Sequence, residues 1–349
     1  MRFAIGLVMG LFCTNLSAQD IDTNYITPYK TGLIVSLQNA FQDMRIGFDA
    51  KENAVSDINY EPNNVSKSGV RFAYNGVGLG LMFKSSNYGK DPTVYGKTDQ
   101  FSLHLDVTAR KWAMNIGAVN VQGFYLEPLT YNGPQPLVAP RPIIRKDLQL
   151  NQIGISYTRV FNNDRFSYKM LINQSEMQRK SAGSFLLKGN FYIISTSSDT
   201  SFIPRELVIA YAEVNDFNEA VFSNIILQPG YAHTFVIGKR LSFNLRALLG
   251  FGAQGRTFVD REGKAKRDVG ISSKLDFGVM LNYFGQRFFT GVGLVAESLG
   301  SEIGNVRYST SMVQGELFVG YRFPQVKLFQ KKSFLYKIGP VKKWIDGEI

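Results

Sequence analysis

From about residue 30 onward, apolar side chains return at every second position. In LSFNLRALLGFGAQ (241–254), Phe243, Leu245, Ala247, Leu249, Phe251 and Ala253 share one parity, and Asn244, Arg246, Gly250, Gly252 and Gln254 share the other. The pattern recurs in 275–283, where Leu275, Phe277, Val279, Leu281 and Tyr283 alternate with Asp276, Gly278, Met280 and Asn282, and again in VQGELFVGYRF (313–323). Successive side chains of an extended chain point to opposite faces, so each segment is a strand with one oily and one wet side. Such alternation also fits a soluble sandwich. Many of these segments, however, run to about ten residues or more, against roughly five or six for ordinary strands. Their polar faces mix glycine with charge, which suits a wet lumen.

The connections sharpen the reading. Tight links at Asn75-Gly76, Arg110-Lys111, 162–164, 238–240 and 285–286 alternate with longer ones at 49–67, 87–98, 127–147, 178–223, 255–269 and 301–306. Outer-membrane barrels sort their loops this way, short on the periplasmic side and long outside. No run after the first residues is long enough for a membrane helix. A closed barrel is the one strand architecture that crosses a bilayer with every backbone hydrogen bond satisfied. The sequence therefore predicts an all-β fold, a single antiparallel transmembrane β-barrel of about twelve strands with both termini periplasmic. The strands fall at 30–48, 68–75, 77–86, 99–109, 112–126, 148–161, 165–177, 224–237, 241–254, 271–284, 287–300 and 307–323. Inside the longest link, SFLLKGNFYIIST (184–196) and PRELVIAYAEV (204–214) raise the count to fourteen if both join the wall; otherwise the link is an external loop or an inward plug. Loop 127–147 holds five of the twelve prolines, which keeps it extended and outside the wall.

The ends divide off. Residues 1–18, MRFAIGLVMGLFCTNLSA, read as a cleavable signal peptide with Arg2 ahead of an apolar run and small residues at Ser17 and Ala18. Residues 19–29 are a short lead-in, 30–323 the barrel, and 324–349 a basic tail beginning at Pro324. Cys13 is the only cysteine, and Phe12 before it is too large for a lipid-anchor site. The exported chain then has no thiol or disulfide, and with two histidines no metal site or cofactor is expected. The net charge of +11 on an exported chain points to anionic lipid, lipopolysaccharide or cell-wall polymer, not nucleic acid. Basic residues recur at the tight turns (Arg110, Lys111, Arg165, Lys239, Arg240, Arg287). They recur in the tail (Lys327, Lys331, Lys332, Lys337, Lys342, Lys343) beside Phe329, Phe334, Leu335, Tyr336 and Trp344, a composition suited to anionic head groups.

Catalytic candidates are sparse. In FSLHLDVTAR (101–110), Ser102, His104 and Asp106 share a face, a spacing at which a hydrolytic trio is feasible. Phe101, Leu103, Leu105, Val107 and Ala109 take the other face, which must meet lipid because burying Asp106 in hydrocarbon costs several kcal/mol. The trio is therefore expected to line the lumen, away from any acyl chain. Arg71, Arg110, Arg159, Lys169, Arg246 and Arg322, with Asp106, Asp276 and Glu316, are expected there too. They form either a constriction favouring anions or, as we favour, a paired network that rigidifies a narrow interior. His233 falls at an aromatic girdle. Gly76, Gly78 and Gly80 sit in a strand, so they form no phosphate loop.

Tyr60-Glu61-Pro62-Asn63, Gly69-Val70 with Tyr74, Gly76, Gly78 and Gly80, Lys97-Thr98, Gly230-Tyr231 with Phe235, and Gly320-Tyr321-Arg322-Phe323 resemble an outer-membrane barrel family of Bacteroidota catalogued as domain of unknown function 4421. The resemblance covers roughly residues 25–323 and implies a barrel in a Gram-negative outer membrane, with no catalytic residues to carry over. The closing GYRF also resembles the terminal signal read by the barrel assembly machinery, although 26 residues follow it. The expected role is structural or transport-type, not enzymatic. The alternatives are a lipid-modifying hydrolase using Ser102, His104 and Asp106, or a binding or assembly module acting through loops or tail.

Overall fold

The computed structural model describes residues 21–29, 32–50, 57–63, 66–85, 89–127, 141–208, 211, 216–303 and 305–324. Two expectations, the signal peptide (1–18) and the basic tail beyond Pro324, lie outside them, as does most of the proline-rich loop.

Alternation is strongest where the wall forms. In chain order the strands are β1 (Ile26–Pro28), β2 (Leu33–Ala50), β3 (Ile58–Glu61), β4 (Ser66–Tyr74), β5 (Val77–Lys84), β6 (Asp99–Thr108), β7 (Trp112–Leu126), β8 (Ile143–Val160), β9 (Glu176–Gln178), β10 (Ala182–Ser197), β11 (Phe217–Val236), β12 (Leu241–Asp260), β13 (Ala265–Phe284), β14 (Phe288–Ile303) and β15 (Val306–Arg322). Neighbours pair antiparallel throughout, and β15 pairs β2 from Val306↔Ala50 to Arg322↔Ile34, so no wall edge is left open. Twelve strands form this closed wall; β1 and β9 form a separate small sheet, and β3 is a short insertion. Two short helices, α1 (Pro92–Tyr95) and α2 (Tyr168–Ile172), complete the elements with a 3-10 turn at Arg205–Leu207.

Parity decides what faces where. The outward set includes Leu37, Phe41, Phe72, Leu79, Phe191, Ile225, Leu249, Leu275, Val292 and Leu317, all large apolar side chains left exposed around the girth. The inward set includes Ser36, Gln42, Asp106, Asn190, Gln228, Asn244 and Asp276, which are polar and buried. This is the reverse of a soluble sandwich and the arrangement a bilayer demands. Aromatic pairs mark the turn end outside, with Trp112 stacked on Tyr157 at 6.0 Å and Tyr321 against Phe323 at 4.7 Å.

The wall departs from expectation in three places. Residues 165–177 do not form a wall strand: they hold α2 and run into β9, while the twelfth strand is β10, paired to β8 and β11. The fourteen-strand alternative fails, because 204–214 contributes only the 3-10 turn among the described residues. The links expected at 255–269 and 301–306 are largely strand, since β12 to β15 rise well past the apolar belt.

A fork was not foreseen. β4, β5 and β6 stop early, and beyond them β3 bridges β2 (Ile46↔Tyr60) directly to β7 (Tyr60↔Leu126). Gly123, at φ +86°, makes the bulge that turns β7 from β6 toward β3; a Cβ there would strike the Lys97 carbonyl. Asn63 pins the fork from inside: its side-chain amide donates to the Gly96 carbonyl at 2.6 Å and its backbone N–H donates to Thr98 Oγ1 at 2.7 Å.

Candidate functional site

The interior is filled in two places and hollow between them. Toward the long loops, inward side chains pack into an apolar core containing Phe48, Tyr60, Phe124, Phe222, Phe258 and Tyr308, joined by Phe202, Ile203, Leu207 and Tyr211 from the connection after β10. Phe222 stacks on Tyr308 at 4.3 Å, Phe48 meets Tyr308 at 5.5 Å, and Tyr211 Oη donates to the Phe48 carbonyl at 3.0 Å.

Toward the tight turns the seal is separate chain. β1 pairs with β9, and α2 puts Tyr168, Met170, Leu171 and Ile172 across the barrel mouth against Val160, Leu186, Phe284 and Phe289. α2 forms because Ser167 caps it, its hydroxyl accepting the Met170 amide at 3.1 Å. Two ion-pair anchors hold the segment down. Arg110 Nη2 donates to Glu176 Oε1 at 2.8 Å, and Arg165 Nε lies 3.8 Å from Asp22. Arg322, almost wholly buried, lies over the rings of Tyr29 (3.9 Å) and Phe289 (4.5 Å) and donates to the carbonyls of Gln174 and Gly285 at 2.9 Å. Burial raises the Tyr29 phenol above its usual value, partly offset by Arg322, and burial lowers the Lys169 ammonium.

Between the seals lies a chamber of about 430 Å³. Its walls carry charge in networks. Arg71 donates to Asp106; Lys188 donates to Asp276 at 2.7 Å; Lys274 bridges Asp276 and Glu297, reaching the latter at 2.9 Å. Lys67, on β4, finds no carboxylate within ion-pair range among the described residues and donates to Gln42, to Gln314 at 3.2 Å and to Ser102 at 3.5 Å. Arg246 and Glu316 also line the space; Arg246 is within electrostatic reach of Glu316 without an ion pair between them among the described residues. Met44, Met82, Met280 and Met312 supply apolar lining, and Gly117, Gly154 and Gly278 hollow it out.

The residues singled out from sequence separate accordingly. Arg71, Asp106, Arg246 and Glu316 border the chamber, as does His104, and Asp276 ties its lysines together. Arg110, Lys169 and Arg322 belong to the turn-end seal. Arg159 is a correction: it shares parity with outward Ile153 and Tyr157 and pairs across from Trp112, so it stands on the outer face. The catalytic trio is not assembled. Ser102 is fully buried and receives Lys67, Asp106 is held by Arg71, and His104 makes no hydrogen bond to either. Sequence reasoning missed Lys67, Lys188, Lys274, Glu297 and Glu176. Lys274 shares the parity of Asp276 two positions on, which was a usable signal; Lys188 lay in the segment left open between wall and loop.

A closed antiparallel wall, apolar around its girth and polar within, defines an integral outer-membrane β-barrel protein in contact with membrane lipid. Within that class the chain belongs to the family described as Domain of unknown function (DUF4421), whose profile matches residues 20–323. No curated protein matches it. Among solved structures it is similar to the outer membrane protease OmpT of Escherichia coli (8% identity, TM-score 0.36, covering 85% of this chain and 98% of that one). It is also similar to the translocator domain of the autotransporter NalP from Neisseria meningitidis (12%, 0.38, 92% and 94%) and to the P. putida toluene transporter TodX (8%, 0.32, 84% and 91%). At such identities and scores none of the three bears on function.

Proposed function

We propose that this barrel is a non-conducting binding module of the outer membrane, with its chamber turned toward the periplasm, and that it is not a porin. The observation that carries the reading is the apolar core of the loop half: it is built largely from wall side chains, so it is part of the fold and not a movable gate. The turn-end seal differs, being made of β1, α2 and β9, none of which belongs to the wall. Access to the chamber then runs through the turn end. Export by residues 1–18, insertion by the barrel assembly machinery, contact with lipopolysaccharide at the loop end, and periplasmic placement of both termini follow from the same reading. In it, the basic, aromatic tail 324–349 would meet anionic head groups or cell-wall polymer.

The test is single-channel recording of purified protein in planar bilayers. Silence is expected at all holding potentials; a steady ohmic pore would sink the proposal. Deleting 324–349 should release the protein from co-sedimentation with isolated cell wall, and unchanged sedimentation would remove the tail from it.

A further inference from the structure

We infer that the chamber is a binding site for a small organic acid, its carboxylate held by Arg246 and its apolar body lying against the methionine lining. This rests on the preceding reading of the barrel as a binding module, and the two fail separately: conduction would sink that reading, and absence of binding sinks this one.

Charge comes first. Taking His104 as neutral, the chamber and the wall behind it hold Lys67, Arg71, Lys188, Arg246 and Lys274 against Asp106, Asp276, Glu297 and Glu316. One positive charge is left over. An uncompensated positive charge among buried groups is costly, and a monoanion neutralises it. The committed groups locate the vacancy. Arg71 is bonded to Asp106, Lys188 and Lys274 share Asp276 and Glu297, Lys67 spends its protons on amides and a hydroxyl, and Glu316 lies within electrostatic reach of Arg246, Arg71 and Lys67 but is bonded to none of them among the described residues. Arg246 alone of the lining cations makes no hydrogen bond or ion pair among the described residues, and a guanidinium takes a carboxylate by two parallel bonds.

Shape agrees. A Cβ on Gly278 would stand 2.9 Å from Arg246 Nε, so the glycine is what lets the guanidinium lie along the wall. The methionines are adaptable, polarisable surface. A volume of about 430 Å³ falls in the range of small-molecule sites, roughly 300–1,000 Å³.

To test it, wild-type protein is refolded from urea into detergent with hexanoate present throughout, so that the turn-end seal closes over the probe, and Tm is followed by circular dichroism. Hexanoate should raise Tm in a saturable way; hexanamide and hexylamine should not. Arg246→Gln should weaken the apparent hexanoate affinity by at least about tenfold, the worth of a bond to a charged group. Gly117→Leu provides a second check, because a Cβ there would have His104 Nδ1 at 3.5 Å as its nearest neighbour, an ordinary contact, and the rest of the side chain would enter the chamber. It should fold and lose the response. No response from wild type, a response to the amine or amide equal to that for the acid, or an undiminished response in Arg246→Gln would each overturn the inference.

Discussion

Asp106 and Arg322 show how single residues hold this interior together by opposite means. Asp106 is 2% exposed, with Arg71 as its partner and Gly78 opposite, where any Cβ would press on the carboxylate at 2.6 Å. Removing one member of a buried pair strands the other in low dielectric, which costs more than the pair itself contributes. Asp106→Asn should therefore lower stability by roughly 3 kcal/mol, read as a shift in the urea midpoint in lipid vesicles. Asp106→Asn with Arg71→Met should recover much of it; a double variant no better than the single would refute the pairing argument. Arg322 has no carboxylate partner among the described residues. Aromatic faces and two carbonyls hold it instead through Nε and Nη1, with Nη2 left without a hydrogen bond, an arrangement that depends on a planar, delocalised cation. Arg322→Lys keeps the charge and loses the stacking, so we expect the 162–181 segment to become a preferred site of limited proteolysis while the wall remains intact. Equal protection in wild type and variant would show that Arg322 does not clamp the seal.

At the scale of elements, what was legible in the sequence was whatever the bilayer constrains. A strand between lipid and lumen must alternate, and β11 to β15 do so along their whole membrane-facing length, which is why their positions and pairing order could be read directly. The segment 165–177 resembles a wall strand in sequence because RFSYKMLINQSEM also alternates loosely, and because the short link at 162–164 resembles a hairpin turn. Alternation there has a different cause: Phe166, Tyr168 and Met170 are buried against the barrel mouth, and no lipid is involved. β10 is legible as a strand in SFLLKGNFYIIST, but its place in the wall is not, because it lies inside the longest link beside 204–214. The charged chamber is partly visible in the sequence, through inward parity at Arg71, Asp106, Arg246, Asp276 and Glu316. The pairing of Asp276 with Lys188 is not, because β11 and β12 lie between them and sequence separation carries no trace of that. If 165–179 is a seal and not wall, replacing it with a short Gly-Ser turn should leave a barrel that still folds and resists SDS until heated. A protein that no longer folds would return this segment to the wall.

For the molecule as a whole, the decisive property is that two seals stand in series with a chamber between them. If either one suffices to block ion flow, as the proposed non-conducting role requires, removing one should change nothing in a conductance record. The turn-end seal can be excised as above, and a barrel lacking it should remain silent, because Phe222, Tyr308 and Phe48 still close the loop half. The loop half can be opened by replacing 199–215 with a short turn and truncating Phe222→Ala and Tyr308→Ala, at a cost of about 3–5 kcal/mol for each ring. That protein should be less stable and equally silent, since Tyr168, Met170 and Leu171 still cover the other mouth. Only the combination should conduct, in discrete steps whose selectivity is weakly anionic, as the surplus cation in the chamber requires. Conduction on excising the turn-end seal alone would mean that the apolar half opens by itself, and the barrel would then have to be understood as a gated pore.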